Sequence, residues 1–268
     1  MTSAHDANRF DLGRIQSETP VAEVRYFDRI DSTNNAALAM CQDIRSANSG
    51  FPSLIIAGTQ TRGRGRGQNV WWSAGGALTF SLIVEPRVWN LAENRWPLLS
   101  LTAGLAVRHA ISRTLPDHEV KLKWPNDVLL NGRKVAGILV EVGPLPRRLL
   151  VIGIGINVNN SFNAAPRELR TLATSLIDVA GMTHELTDIL IRTINELDIQ
   201  LGRLGRGDAD LPADWQRCCA LKGNSVTIEV GTTRTKGLCQ GIDGDGALIL
   251  LTEKGLARFY AGVVSHFE

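Results

Sequence analysis

Between Gln60 and Trp72 the chain runs Gln-Thr-Arg-Gly-Arg-Gly-Arg-Gly-Gln-Asn-Val-Trp-Trp. Alternating glycine and arginine sets backbone N–H groups and guanidinium forks where both can wrap a phosphate. Two other readings share these residues. One is a solvated flexible loop; the other is an RNA contact with Arg62, Arg64 and Arg66 beside Trp71 and Trp72. Position favours a ligand role, because a glycine-rich loop between core strands is more often functional. The segment is not a P-loop, since no Lys-Ser or Lys-Thr closes it. Gly153-Ile154-Gly155 is not a dinucleotide turn either, because the third glycine and the helix are missing. Glycines at 63, 65, 67, 75 and 76 give the free loop high conformational entropy. We therefore expect it to order around its ligand.

Three more segments place polar groups where chemistry is possible: Asp31-Ser32-Thr33-Asn34, Lys121 to Asp127 continuing through Asn131-Gly132-Arg133-Lys134 to Glu141, and Gly153 to Asn159. Each has an ordinary reading when taken alone. Ser32 and Thr33 are helix-cap chemistry, Asn126 and Asp127 suit a turn beside Trp124-Pro125, and Lys134 suits a strand-end surface charge. Asn157 and Asn159 suit a polar turn after a strand.

The elements that must position them can be read from period and punctuation. Apolar runs predict strands at Val24–Ile30, Ser53–Thr59, Ala77–Glu85 and Leu149–Ile156, with short strands at Val120–Lys123 and Asp127–Leu130. Asn131-Gly132 is a hairpin signal ahead of a strand Lys134–Val142. Helices are expected from the Asp31-Ser32-Thr33 cap to Ala47, over Pro97–Leu115, and over Glu185–Leu204, where Leu186, Leu190, Ile194, Leu197 and Leu201 form a stripe. Residues 1–22 lack periodicity and suit a loose arm or a short capping helix. From Leu221 onward the chain reads as strands and glycines, with strands at Val226–Val230, Ala247–Leu251 and Ala257–Tyr260, a small β-barrel-like module.

With 29 basic and 27 acidic residues, bulk charge argues for neither nucleic acid nor membrane. No signal-peptide pattern opens the chain and no run has the length of a membrane span. The expectation is a cytoplasmic protein with reduced thiols. Cys41, Cys218, Cys219 and Cys239 lack zinc spacing and read as small packing residues.

Taken together and in order, these segments resemble the biotin–protein ligases, or holocarboxylase synthetases. That family carries an S-T-N element, a Q-x-x-G-R-G-R loop, a K-W-P-N-D segment, a K-x-x-G-I-L-V-E strand and a G-x-G-I-N strand end. Here they stand as Ser32-Thr33-Asn34, Gln60 with Gly63 to Arg66, Lys123 to Asp127, Lys134 with Gly137 to Glu141, and Gly153 to Asn157. The resemblance extends through Gly241 to Leu248, and thus from Val24 to the C-terminal module.

The resemblance implies an α+β fold: a mixed β-sheet with packed helices (class II synthetase-like) plus a small C-terminal SH3-like β-barrel. Its divisions would be 1–23 as arm, 24–217 as catalytic domain and 218–268 as β module. It implies activation of biotin by Mg-ATP to biotinyl-5'-AMP, then transfer to a lysine of a carboxylase's biotin carrier domain. By the same resemblance, Ser32, Thr33, Asn34 and Gln60 hold the ureido ring, with walls around Gly137 and Leu139. Lys134, Arg64, Gly65 and Arg66 meet the carboxylate and phosphate, with Lys134, Arg64 and Arg66 catalytic. Trp71 stacks on adenine, Asn126 and Asn157 lie near the adenylate, and Asp127 orients the metal or the incoming lysine. Two departures stand out: Arg62 where a small residue is usual, and Gly67-Gln68-Asn69 where many members have a further Arg-Gly pair. Some members begin with a DNA-binding winged helix; about 23 residues precede the first strand here, so no sequence-specific DNA partner is expected. A monomer or homodimer fits, and a lipoate or octanoate ligase is the nearest alternative.

Overall fold

The computed structural model of the chain describes residues 9–43, 50–72 and 75–267. Three apolar strands make its centre: β2 (Ser53–Gln60), β3 (Leu78–Val84) and β7 (Leu150–Ile156), the last two buried at every position. Near-continuous apolar runs are what a strand covered on both faces requires. β1 (Glu23–Ile30), β4 (Val120–Lys123), β5 (Asp127–Leu130) and β6 (Arg133–Val142) complete a seven-stranded sheet in the order β1-β2-β3-β7-β6-β5-β4. β1 and β2 run parallel and every other pair is antiparallel, so the sheet is mixed as expected.

Helices cover both faces. α1 (Leu12–Glu18) is capped by Asp11, whose side chain accepts from Arg14 N. Of the two N-terminal readings, the short helix is therefore present; residues 1–8 lie outside the described residues. α2 (Thr33–Asp43) packs Ala37 and Cys41 against Ile55, Ile83 and Val151 on one face of the sheet. The helix was expected to reach Ala47, but residues 44–49 lie outside the described residues. On the other face, α3 (Leu99–Thr114) and the long α6 (Leu186–Arg206) pack together, with α4 (Arg167–Arg170) and α5 (Leu176–Ala180) in the connection before α6. The leucine stripe of α6 is buried as its period requires, and Gly207, at φ 69°, ends it in the left-handed conformation.

α7 (Leu211–Cys218) leads into β8 (Ser225–Val230), β9 (Thr233–Ile242), β10 (Leu248–Thr252), β11 (Gly255–Phe259) and β12 (Val263–Phe267), an antiparallel sheet ordered β11-β10-β9-β8-β12. β9 and β12 were not read from sequence, whereas β8, β10 and β11 were. The Gly241–Gly246 turn forms as expected, with Asp243 Oδ1 accepting from the backbone N of Asp245 and Ala247. This module is tied to the first domain by one backbone and one side-chain hydrogen bond: Ala220 N donates to Leu122 O at 2.7 Å, and Trp124 Nε1 donates to Gly246 O at 3.0 Å. All four cysteines are buried and free. Among the described residues, no helix is long and apolar enough to cross a membrane.

Candidate active site

Strand period decides which side chains face the cavity. Ser81 and Thr79 of β3 pair with Gly153 and Gly155 of β7, which pair in turn with Leu139 and Gly137 of β6. All six share one face, while their neighbours Phe80, Ile138, Ile152, Ile154 and Ile156 join the core on the other. Above this face lies a cavity of about 500 Å³, a size suited to a small-molecule ligand.

The two β7 glycines form a floor. A β-carbon at 153 would come within 1.9 Å of Asn34 Oδ1, and one at 155 within 2.5 Å of the Trp71 indole. Gly-Ile-Gly is therefore neither a phosphate turn nor a random strand end. It alternates core isoleucines with positions that must be empty for Asn34 and Trp71 to lie flat on the sheet.

A bulge sets Lys134. β5 and β6 pair as Asp127 with Gly137 and Val128 with Ala136, then slip, so that Leu129 faces Lys134. Strict alternation from Gly137 would send Lys134 to the core face. The extra residue, Val135, takes the core position and is fully buried, leaving Lys134 on the cavity face. The expected Asn131-Gly132 turn precedes it, with φ of 50° and 78°. Lys134 N donates to Leu172 O and Lys134 O accepts from Thr174 N, each at 2.9 Å, so the backbone is held on both sides. Its Nζ lies 2.6 Å from Asp127 Oδ1 and 5.9 Å from the centre of a Trp71 ring.

At the other end, Ser32, Thr33 and Asn34 are buried at the start of α2. Gln60 Oε1 accepts from Thr33 N at 2.7 Å and lies 3.1 Å from Thr33 Oγ1. Ser81 Oγ lies 2.8 Å from Thr33 Oγ1 and 2.6 Å from Asn34 Oδ1. Asn34 Nδ2 donates to Glu141 Oε2 at 2.8 Å. Ser81 and Glu141 were not singled out as site residues from sequence. A signal for Ser81 was there: Thr79 and Ser81 are polar two apart in an otherwise apolar central strand.

The loop is a tight hairpin in its described part. Trp71 N donates to Gly63 O at 3.0 Å and Gly65 N to Asn69 O at 2.8 Å, with Arg64 bridged to Val70. Its two site arginines go different ways. Arg64 meets both oxygens of Glu141, at 2.6 and 3.1 Å, and Asn35 Oδ1 at 2.8 Å. Arg64, expected to meet a phosphate, is paired with a carboxylate here, as Lys134 is with Asp127. Arg66 Nη1 instead donates to Gly262 O of the C-terminal module at 2.7 Å, a neutral partner that leaves its charge unbalanced there. Glu229 to Gly231 and Ala261 to Val264 of that module also line the cavity, which no sequence signal marked.

Most expected residues are brought together: Ser32, Thr33, Asn34, Gln60, Arg64, Gly65, Arg66, Trp71, Asn126, Asp127, Lys134, Gly137 and Leu139 all line this cavity. Asn157 does not. It is buried past the end of β7, where its Oδ1 accepts from Asn160 Nδ2 at 3.0 Å. Asn126 Nδ2 donates to Ile138 O at 2.7 Å, which fixes the Trp124-Pro125-Asn126 turn against β6. Lys123, unassigned from sequence, also lines the cavity, with Nζ 5.2 Å from the centre of the Phe267 ring. Burial holds its ammonium below the usual lysine range, and Asp127 partly offsets this. Trp71 Nε1 is buried over the Gly155 floor without a protein hydrogen-bond partner.

The loop hairpin rests on few contacts, and ligand should strengthen it. Hydrogen exchange at Gly65, Asn69 and Trp71 should slow when ligand fills the cavity. Equal protection with and without ligand would mean that the hairpin is fully formed beforehand.

Comparison with known proteins agrees with this architecture. Residues 26–159 match the model of the Biotin/lipoate A/B protein ligase family, and residues 223–267 match the Biotin protein ligase C terminal domain. A biotin--[acetyl-CoA-carboxylase] ligase of Mycobacterium tuberculosis is 36% identical, over 80% of this chain and 79% of the relative. A bifunctional ligase/repressor of Bacillus subtilis is 30% identical, over 92% of this chain and 75% of the relative. The structure of a biotin protein ligase from Aquifex aeolicus in complex with biotin and ATP aligns with a TM-score of 0.77 and 27% identity, covering 92% of this chain and 98% of that one. The chain belongs to the biotin protein ligases of the Biotin/lipoate A/B protein ligase family, and it is a ligase.

Proposed function

We propose that the protein joins biotin to AMP and then transfers the biotinyl group to a lysine of a carboxylase's biotin carrier domain. The observation that carries this reading is the cavity's polarity: a hydroxyl and amide wall at Thr33 and Gln60, and an ammonium at Lys134 toward the other end. A ureido ring needs the first and a carboxylate the second. In the first step a biotin carboxylate oxygen attacks the α-phosphorus of ATP, and the bond to the β-phosphate breaks to release pyrophosphate. In the second the acceptor amine attacks the acyl carbon, an amide forms and AMP leaves. Lys134 and Arg66 offset the charge of the two approaching anions, while Trp71 offers the adenine a flat partner.

Mg²⁺ arrives with the nucleotide. Among the described residues no cluster of three or more His, Cys, Asp or Glu could cage a metal. Asp127, one of two carboxylates lining the cavity with Glu229, stands beside Asn126, a set that fits an ion held mainly by phosphates. Asp127 also stands beside Lys134 where an incoming amine would be oriented.

Two alternatives are weaker. A lipoate or octanoate substrate brings no ring N–H groups for the Thr33 and Gln60 wall. RNA binding through the loop arginines is disfavoured because Arg64 and Arg66 turn inward to Glu141 and Gly262. We propose a cytoplasmic setting and a monomer or homodimer. The test is acid-dependent exchange of labelled pyrophosphate into ATP. Biotin should support exchange, and lipoate and octanoate should not; exchange with lipoate alone would overturn the assignment of the acid.

A further inference from the structure

Three side chains, Thr33, Ser81 and Asn34, connect the ring end of the cavity to a carboxylate outside it. Glu141 does not line the cavity, and neither does Ser81. Glu141 nevertheless controls what Thr33 can do there, through a count of protons.

A carboxylate only accepts. The Asn34 atom 2.8 Å from Glu141 Oε2 must therefore be the amide nitrogen, which places Oδ1 against Ser81. At 2.6 Å from that oxygen, Ser81 must direct its single proton there. Ser81 Oγ then has only lone pairs for Thr33 Oγ1, 2.8 Å away, so the Thr33 proton turns to Ser81. The alternative, a Thr33 proton on Gln60 Oε1 at 3.1 Å, would leave Ser81 and Thr33 facing each other without a proton. Gln60 Oε1 already accepts from Thr33 N at 2.7 Å and, at 3.1 Å, is the more distant of the two acceptors open to the Thr33 proton. Thr33 Oγ1 is left as an acceptor toward the cavity. Arg64 holds both Glu141 oxygens, and Gly153 leaves room for no other position of Asn34.

We infer that Glu141 is a positioning residue that sets the hydrogen-bond polarity of the ring pocket, acting through Asn34 and Ser81 to fix Thr33 as the acceptor for a ring N–H. This deepens the biotin reading and rests on it. Arg64 accordingly serves the ring end by anchoring Glu141.

Glu141→Gln tests it, because the new amide can donate to Asn34 and leaves the longer 3.3 Å bond to the Leu139 carbonyl to hold that amide, which can then turn over and reverse the chain. The variant should raise the biotin KM by roughly tenfold or more, with the ATP KM and Tm little changed. Ser81→Ala, which removes the relaying hydroxyl at little cost in volume, should also raise the biotin KM selectively. Adding Glu141→Gln to it should then change the biotin KM by less than about twofold, since both act through one chain. An unchanged biotin KM in either single variant, additive effects, or an equal rise in the ATP KM would overturn the inference. Should Glu141→Gln not fold, the biotin and ATP KM values of Ser81→Ala alone decide. Parent enzyme that fails to use biotin would overturn the functional reading and this inference together; parent that uses biotin while both variants match it overturns only the inference.

Discussion

Lys134→Met should fold and bind biotin as the parent does, and lose adenylate formation by roughly two to three orders of magnitude. Methionine keeps the length and apolar stem of lysine but cannot offset the charge of two anions meeting in the cavity. Binding should survive because Thr33 and Gln60, which face the ring, do not involve Lys134. The fold should survive because Lys134 is held through its backbone to Leu172 and Thr174, bonds that do not involve its side chain. The bulge strengthens the expectation, since it displaces one residue of β6 and turns position 134 onto the cavity face. Rapid-quench measurement of biotinyl-AMP, with biotin affinity measured separately, checks both halves. Near-parental adenylation would reduce Lys134 to a partner for Asp127.

Gly153→Ala should have an effect out of proportion to one methyl group. Its β-carbon would lie 1.9 Å from Asn34 Oδ1 and 2.7 Å from Asn34 Cγ. Asn34 cannot move aside, because Ser81, Glu141 and the Leu139 carbonyl hold it on three sides. We expect about 1–3 kcal/mol of lost stability from overpacking. Biotin affinity should fall by about a hundredfold as the Thr33 wall is displaced, the equivalent of about 3 kcal/mol. Gly75→Ala is the matched control: a β-carbon there meets nothing within 4 Å and its φ is ordinary, so stability and affinity should stay close to parental. Thermal denaturation and biotin titration of the two variants make the comparison. Parental affinity in Gly153→Ala would mean that Asn34 is free to move and that the floor is not selected for flatness.

Much of the scaffold is legible because its strands are buried on both faces, and continuous apolar runs report that directly. β9 and β12 were missed for the opposite reason. β9 begins Thr233-Arg234-Thr235-Lys236 and is largely exposed there, so neither face leaves an apolar signature. In the site, short motifs locate Thr33, Gln60 and Lys134 because each sits where a strand or helix begins or ends. What sequence cannot give is which charges cancel. Arg64 and Arg66 are alike in the loop, and only the fold brings Glu141 to the first and Gly262 to the second. Asn157 stays out of the cavity lining for a related reason. Its parity continues that of Gly155, but the chain leaves the sheet there and the side chain turns to Asn160. The cavity wall from the C-terminal module depends on contacts nearly 200 residues apart, |i−j| = 196 for Arg66 and Gly262, and has no local trace.

The most direct test of the central claim is transfer to protein. Purified enzyme, biotin, Mg-ATP and the isolated biotin carrier domain of a carboxylase should yield a carrier heavier by one biotinyl group, attached at a single lysine. The product should be absent when ATP is omitted, or when that lysine is replaced by arginine. An unmodified carrier, with active exchange of pyrophosphate on another acid, would contradict the account.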